Sequence, residues 1–395
     1  LVSILTIDFS NANRLPTLQE KGAIGGNMPK LLIIGGGIAG MSLAVFMRRI
    51  GWQVDLIEAD PEWRVYGAGI SITGPTFRAL DQLGLMDDLR REGHCSTSGD
   101  VIICAPDGTP LHNSPTPPIA PGMPSTGGIM RPALHRLLAG LTRECGSDIR
   151  LGVTAKSFDA SAVTTSDGET RHYDLVVGAD GVNSQTRALL FPDAPKPSYT
   201  GQYCWRVALD RLPEIDRATF FMAGEVTAGL VPVSETGMYM WLLEPVAVRE
   251  HIDPATQHLR LAKIMRRFGG PLAKVRESLS VQSPIIVRPL EALLLPRPWH
   301  VGRILLIGDA AHATTPHLAS GAGIATEDAL VLSRILAETA DIPAALEAFT
   351  DRRWERCKLV VENSVEIGRM QQGSGSPQQL NALMAQSMAA LRADL

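Results

Sequence analysis

The sequence predicts an α/β fold in which a parallel sheet is interleaved with an antiparallel one and the chain ends in helices. Three observations predict it. Three glycine-containing motifs, Gly35-Gly36-Gly37-Ile38-Ala39-Gly40, Gly178-Ala179-Asp180-Gly181 and Gly308-Asp309-Ala310-Ala311-His312, each follow a short apolar run. Runs of this kind read as buried parallel strands whose C-terminal ends present ligand-binding groups. Between the second and third motifs, period-two alternation over 202–243 reads as antiparallel strands, and beyond Ile342 a period near 3.6 reads as helix.

The run Lys30–Ile34 is the first strand, and a helical pattern extends from the first motif through Ile50. Gly35 permits the tight turn, Gly37 lets the backbone approach a pyrophosphate, and Gly40 lets the helix pack close to the strand. Phosphates then meet the helix N-terminus. Glu58 closes the next apolar run about 20 residues on, where an acidic side chain accepts hydrogen bonds from a ribose. This is the Rossmann-like pattern of a dinucleotide site.

Residues 67–72 form a loop that leads into a helix over 76–83. Two runs, Asp100–Cys104 and 109–112, flank Pro106-Asp107-Gly108 and read as a hairpin, while the proline-rich segment 115–124 reads as a loop. Arg131 opens a helical stretch over 132–141. Strands over 173–177 and 303–307 deliver Asp180 and Asp309, and two carboxylates at strand ends suggest a long ligand. Ser234-Glu235-Thr236-Gly237 is the clearest turn of the antiparallel region. Helical periodicity returns through Leu336 and over Ile342–Arg369, and Gly373-Ser374-Gly375-Ser376-Pro377 breaks it before a last amphipathic stretch.

With these motifs in this order, the sequence resembles the single-component aromatic hydroxylases, the group A flavoprotein monooxygenases that share the fold of para-hydroxybenzoate hydroxylase. The resemblance runs from about Lys30 to the helix around Trp354. It implies a Rossmann-like FAD-binding domain interleaved with an antiparallel-sheet substrate domain, and a noncovalently held FAD. Gly35, Gly37, Ala39 and Gly40 would hold the ADP part, Glu58 the adenosine ribose, and Asp309 the ribityl chain. Asp180 would lie near the pyrophosphate, and Arg131 would reach back to FAD. Pro316 and the loop Gly321-Ala322-Gly323 would face the flavin ring, the amides of the following helix N-terminus stabilising negative charge on it. Ser320 and Ala325 depart from the glutamine and asparagine of many relatives.

The reaction implied by the resemblance is hydroxylation of a small aromatic or heteroaromatic substrate with NAD(P)H and dioxygen, through a flavin hydroperoxide. A transient nicotinamide visit fits the lack of a second glycine-rich nucleotide fold. The same fold serves non-hydroxylating flavin oxidases and dehydrogenases, and a flavin-loaded sensor or binding protein is the reading from another class. Tyr203-Cys204-Trp205-Arg206-Val207 stands where relatives such as urate and salicylate hydroxylases carry an aromatic-arginine strand beside the substrate. Arg206 is therefore expected to pair with an anionic or phenolate-like oxygen, the alternative being the solvent face of its strand. His317 is expected as an acid or base near the ring, and Met222, Met238, Met240 and Leu242 as candidate pocket walls.

Composition bounds these expectations. A chain of 395 residues with 45% hydrophobic content is long enough for ~2–3 domains around a large core. The formal charge of −4, without a basic cluster, excludes a nucleic-acid footprint. Five cysteines without a C-x-x-C pair signal neither a disulfide framework nor a zinc site, so no metal is expected and a reducing cytoplasm is. No apolar run approaches the ~18 residues of a membrane span. A monomer or homodimer acting on small molecules is expected.

The expected division gives 28–98, 125–195 and 285–345 to the FAD-binding domain, and 99–124 and 196–284 to the substrate-domain sheet and flanking segments. Residues 346–395 are expected to form the C-terminal helices. Residues 1–27 read as a disordered or non-native leader, because Ile24-Gly25-Gly26-Asn27 is what a purine-rich ribosome-binding sequence encodes just before a start at Met28. A real flexible arm is the alternative.

Overall fold

The computed structural model describes residues 28–65, 67–159 and 162–395, so the expected leader over 1–27 lies outside the described residues. Leu31 to Ile34 are buried, as an apolar strand covered on both faces must be. Around Lys30–Ile34 a six-stranded sheet forms in the order His300–Val301, Ile304–Leu306, Leu175–Gly178, Lys30–Ile34, Gln53–Glu58, Asp148–Leu151. All pairings are parallel except the one between His300–Val301 and Ile304–Leu306. Helices Ile38–Arg49 and Gly321–Glu338 contribute to the main apolar core, with Phe46, Phe77, Trp299 and Phe349 among its largest side chains.

A seven-stranded sheet runs Ile285–Ala292, Ser198–Asp210, Gly237–Pro245, Val226–Pro232, Thr219–Ala223, Asp100–Cys104, Pro110–Pro115. The hairpin expected around Pro106-Asp107-Gly108 therefore joins this sheet, through a parallel pairing of Asp100–Cys104 with Thr219–Ala223. The strand Ile285–Ala292 belongs here as well: it pairs with Ser198–Asp210, so the segment expected to start the last part of the FAD-binding domain at 285 begins inside the substrate sheet. Helices Gln257–Ile264 and Gly270–Ser278 bury one face of this sheet against Leu261, Leu272 and Val275.

A three-stranded antiparallel sheet, Gly69–Thr73, Thr126–Met130 and His94–Ser96, stands between the two large ones. Its contact with the substrate sheet is close. A Cβ on Gly128 would lie 2.4 Å from the Pro232 carbonyl oxygen, and one on Gly69 would lie 2.1 Å from the Tyr239 ring. Ser71 Oγ and the Tyr239 hydroxyl hydrogen-bond across the seam at 2.6 Å. The long helix Ile342–Arg369 and the final helix Pro377–Arg392 complete the chain; the latter starts at a full capping box of Ser376 and Gln379.

Candidate active site

The three motifs meet in space. Gly35 has φ 109°, and a Cβ there would sit 2.4 Å from the Ala179 carbonyl oxygen, so the first and second motifs touch backbone to backbone. A Cβ on Gly40 would lie 2.0 Å from the Gly35 oxygen, which is the close helix-to-strand approach the spacing predicts. Gly308, at φ 58°, packs against the Ala39 methyl and brings the third motif onto the first. Arg187, buried, completes the junction by donating to the Ala310 carbonyl at 2.9 Å and the Val182 carbonyl at 2.7 Å.

Gly37 differs from its neighbours. It is exposed, and a Cβ built on it would meet nothing within 4 Å. The helix Ile38–Arg49 that follows has no side-chain cap, so its first amides point to open space beside Gly37. Exposed amides at a helix N-terminus fit the pyrophosphate of a dinucleotide. Behind the turn, Glu58 accepts from Gly36 N at 2.7 Å and from Asp60 N at 2.8 Å, one bond per oxygen, which leaves each oxygen a lone pair for a ribose hydroxyl. Trp63, held at φ 51°, donates from its indole to the Gly36 carbonyl at 2.8 Å. Arg143 stacks 4.9 Å above that ring.

Asp180 uses its carboxylate internally. It accepts from the Ser184 hydroxyl and, at 2.9 Å each, from Thr186 N and Oγ1, fixing the start of the helix Gln185–Leu190. Sequence reading found the residue but not this use, because the partners are two hydroxyls and a backbone amide without a motif of their own.

Asp309 and Arg131 are both exposed by area yet densely surrounded by protein, which places them in a deep cleft rather than on a convex surface. Burial raises the Asp309 carboxyl and lowers the Arg131 guanidinium, while each partly offsets the shift of the other. The Arg206 charge lowers Arg131 further, so the three side chains share one electrostatic environment. Neither Arg131 nor Arg206 has a side-chain hydrogen bond or ion pair with another described residue, a state that leaves both guanidiniums free for a ligand.

On the strand Ser198–Asp210, Cys204, Arg206 and Ala208 share a face, and Trp205 and Val207 face the helices of the second core. Arg206 pairs in register with Trp241, so it lies on the same side of the sheet as Tyr239, Trp241 and Leu243. Its charge also acts on Tyr239. Met238, Met240 and Leu242 alternate to the opposite face and are buried in the second core, away from Arg206, and only Met238 of the three also borders a cavity; Met222 is half-buried on the strand Thr219–Ala223.

Pro316 opens the short turn Pro316–Leu318, and Ala319 follows at φ 47°. A non-glycine residue there is strained, and such strain collects at ligand-binding loops. Gly321, Ala322 and Gly323 form the first turn of Gly321–Glu338 without a side-chain cap, and Gly323 packs on Thr76 Oγ1. Ser320 turns its hydroxyl to the Leu318 carbonyl, while Ala325 is buried. His317 shares a hydrogen bond of 2.8 Å between Nδ1 and Thr315 Oγ1, and burial lowers its imidazole to about 4. It is neutral at neutral pH.

Three features lay beyond sequence reading. Gln202 is fully buried with neither amide atom hydrogen-bonded among the described residues; its oxygen and His317 Nε2 both lie 3.0 Å from where a Cβ on Gly368 would be. Beneath the third motif, Asp328 accepts from Gly308 N at 2.9 Å, His312 Nε2 at 2.6 Å and Arg353 Nε at 2.8 Å. Arg353 and Arg356 also bind Glu327. His312, Asp328 and Cys357 converge closely enough to resemble a metal site, but the carboxylate already accepts from three nitrogen donors and the Cys357 thiol, which together take up its four acceptor positions.

Comparison with known proteins agrees with this geometry. Residues 29–364 match the family described as FAD binding domain. The chain is 33% identical to the 2-heptyl-3-hydroxy-4(1H)-quinolone synthase of Pseudomonas aeruginosa, over 87% of this chain and 89% of that one. It is 31% identical to the 3-amino-4-hydroxybenzoate 2-monooxygenase PtmB3 of Streptomyces platensis, over 90% and 92%. Among solved structures, Klebsiella pneumoniae HpxO complexed with FAD and uric acid superposes with a TM-score of 0.79 at 25% identity, covering 93% of both chains. No described helix is long and apolar enough to cross a membrane. The motifs, their convergence on one cleft and these matches together show that the chain belongs to the FAD-binding family of group A flavoprotein hydroxylases.

Proposed function

We propose that this protein uses NAD(P)H and dioxygen to hydroxylate a small aromatic or heteroaromatic substrate, with FAD as its resident cofactor. The observation that carries the reading is Arg206: a guanidinium without a partner among the described residues, on the sheet face turned toward Arg131 and Asp309. The residues fit FAD. The backbone at Gly35 to Gly37 and the uncapped helix behind it suit the pyrophosphate, Glu58 the ribose, Asp309 and Arg131 the ribityl and phosphate oxygens, and the amides of Gly321 to Gly323 the ring edge. FAD, when bound, supplies the redox chemistry with dioxygen.

The chain's own part is to bind, orient and keep water out. Arg206 offers a planar fork to a carboxylate or phenolate-type oxygen and so fixes the ring in one orientation. Tyr239, Trp241 and Leu243 give that sheet face an apolar surface that excludes water from the reacting carbon. His317, neutral, can exchange a hydrogen bond but does not serve as a strong proton donor.

The test is a screen of aromatic acids, phenols, purines and quinolones for stimulated NAD(P)H oxidation, with labelled dioxygen followed into product. Incorporation of label supports hydroxylation. Stimulated oxidation without label in product identifies an oxidase or dehydrogenase, and no stimulation by any ring identifies a binding protein. Arg206→Gln is expected to keep FAD, to raise the substrate concentration needed by roughly 10-fold or more, and to release more hydrogen peroxide, because a loosely held ring misses the transfer.

A further inference from the structure

At the seam between the three-stranded sheet and the substrate sheet lies a cavity of about 630 Å3. Met130, Ala208 and Val233 line it from the seam, and Leu209, Leu212, Met238 and Val275 line it from the second core; Met130, Ala208, Leu209 and Leu212 keep part of their apolar surface open. Ala208 lies two residues beyond Arg206 on the same strand face, about 7 Å along the strand. Met130 immediately precedes Arg131. Two of its walls, Ala208 and Met130, thus adjoin the candidate substrate position in the chain, and none of the residues assigned to FAD lines it. Its charged lining residues, Asp210 and Lys274, are exposed, and Lys274 is already paired with Glu214 at 2.5 Å. Among the described residues that line it, no unpaired cation is present to receive an acidic group.

We infer that this cavity receives an uncharged apolar substituent carried by the ring substrate, so that the preferred substrate is an aromatic heterocycle with an alkyl or prenyl-like tail rather than a bare ring. The inference rests on the proposed function, since it presumes a ring held at Arg206. Its volume lies within the range of small-molecule pockets. Its half-open apolar walls gain from being covered: each buried methylene is expected to tighten binding by about fourfold.

The experiment titrates FAD-loaded protein with 4-hydroxyquinoline and its 2-methyl, 2-propyl and 2-heptyl derivatives, read by the change in flavin absorbance and fluorescence. Affinity is expected to climb about fourfold per methylene over the first several carbons. In Ala208→Leu and Val233→Phe, which fill the cavity, that climb is expected to flatten while affinity for unsubstituted 4-hydroxyquinoline holds. Chain-length-independent affinity in the unaltered protein overturns the inference, whether or not the variants fold. An unchanged climb in both folded variants also overturns it, by placing the tail elsewhere. If ring compounds stimulate NAD(P)H oxidation yet tails add nothing, only this inference fails; if no ring compound does either, the proposed function fails with it.

Discussion

At Gly37 and Gly40 the same absent methyl group does two different things. A Cβ on Gly40 would meet the Gly35 carbonyl oxygen at 2.0 Å, whereas one on Gly37 would touch no protein atom within 4 Å, and Gly37 has an ordinary φ of −80°. Gly40→Ala is therefore expected to destabilise or prevent folding. Gly37→Ala is expected to leave the thermal midpoint of the FAD-free protein unchanged and to weaken FAD retention on gel filtration. Equal effects on folding would remove the assignment of Gly37 to the cofactor. Asp309→Ala is expected to lower FAD affinity by roughly 10- to 150-fold, the loss of a charged hydrogen bond worth about 1.5–3 kcal/mol. Gln202 makes the opposite case: its amide is buried without partners among the described residues, so Gln202→Met is expected to leave the unfolding midpoint unchanged or raise it. A drop of several degrees would reveal a partner that this geometry lacks. The glycines were legible because their spacing encodes backbone approach; Gln202 was not, because nothing in a strand pattern says which polar side chain will be left alone.

The helix Gly321–Glu338 shows how an element carries the site. Its Glu327 and Asp328 are adjacent in sequence, but Arg353 and Arg356 lie on another helix and meet them only through packing that no local signal encodes. Asp328 also holds Gly308 N, so it fixes the turn that presents Asp309. Removing one partner of a buried ion pair costs about 3–5 kcal/mol, which is the expected loss for Asp328→Ala in chemical denaturation. The pH dependence has two limbs. Burial opposes the Asp328 carboxylate, but His312 and Arg353 hold it below its ordinary value, so its contribution is present above about pH 4 and is lost as pH falls through the folded value. Burial likewise opposes charge on His312, but Cys357 and Asp328 beside it hold the imidazole well above its usual range. That contribution is full below about pH 6.5 and is lost as pH rises through the folded value. The stability difference between the unaltered protein and Asp328→Asn is therefore expected to be largest between about pH 4 and 6.5 and to shrink on both sides. A difference independent of pH would mean that the network is held by packing alone.

Across the whole molecule, local patterns told which segments were strands and helices, and the order of strands stayed hidden. The hairpin at 106–108 was legible from its turn residues, yet its pairing with Thr219–Ala223 spans more than a hundred residues of chain and has no sequence signature. The same applies to Ile285–Ala292, whose alternation does not say which sheet it joins. The motifs, in contrast, were legible because each couples a strand end to a ligand group, and in the fold they converge. That convergence carries a last prediction. The backbone at Gly37, Arg131 and Asp309 come from three distant parts of the chain, so one FAD held by all three ties them together only in the folded state. Binding to the native state alone stabilises by about 2.7 kcal/mol at 100 times the dissociation constant. For a chain of 395 residues that corresponds to a rise of about 3 °C in the unfolding midpoint. Titrating FAD into stripped protein is expected to raise the midpoint progressively, with no saturation beyond the logarithmic climb, and ADP alone is expected to give a smaller rise because it cannot reach Asp309. Acid precipitation of the loaded protein is expected to leave all flavin in the supernatant. Flavin retained on the precipitate would establish a covalent link, and a midpoint insensitive to FAD would separate the three motifs from the cofactor.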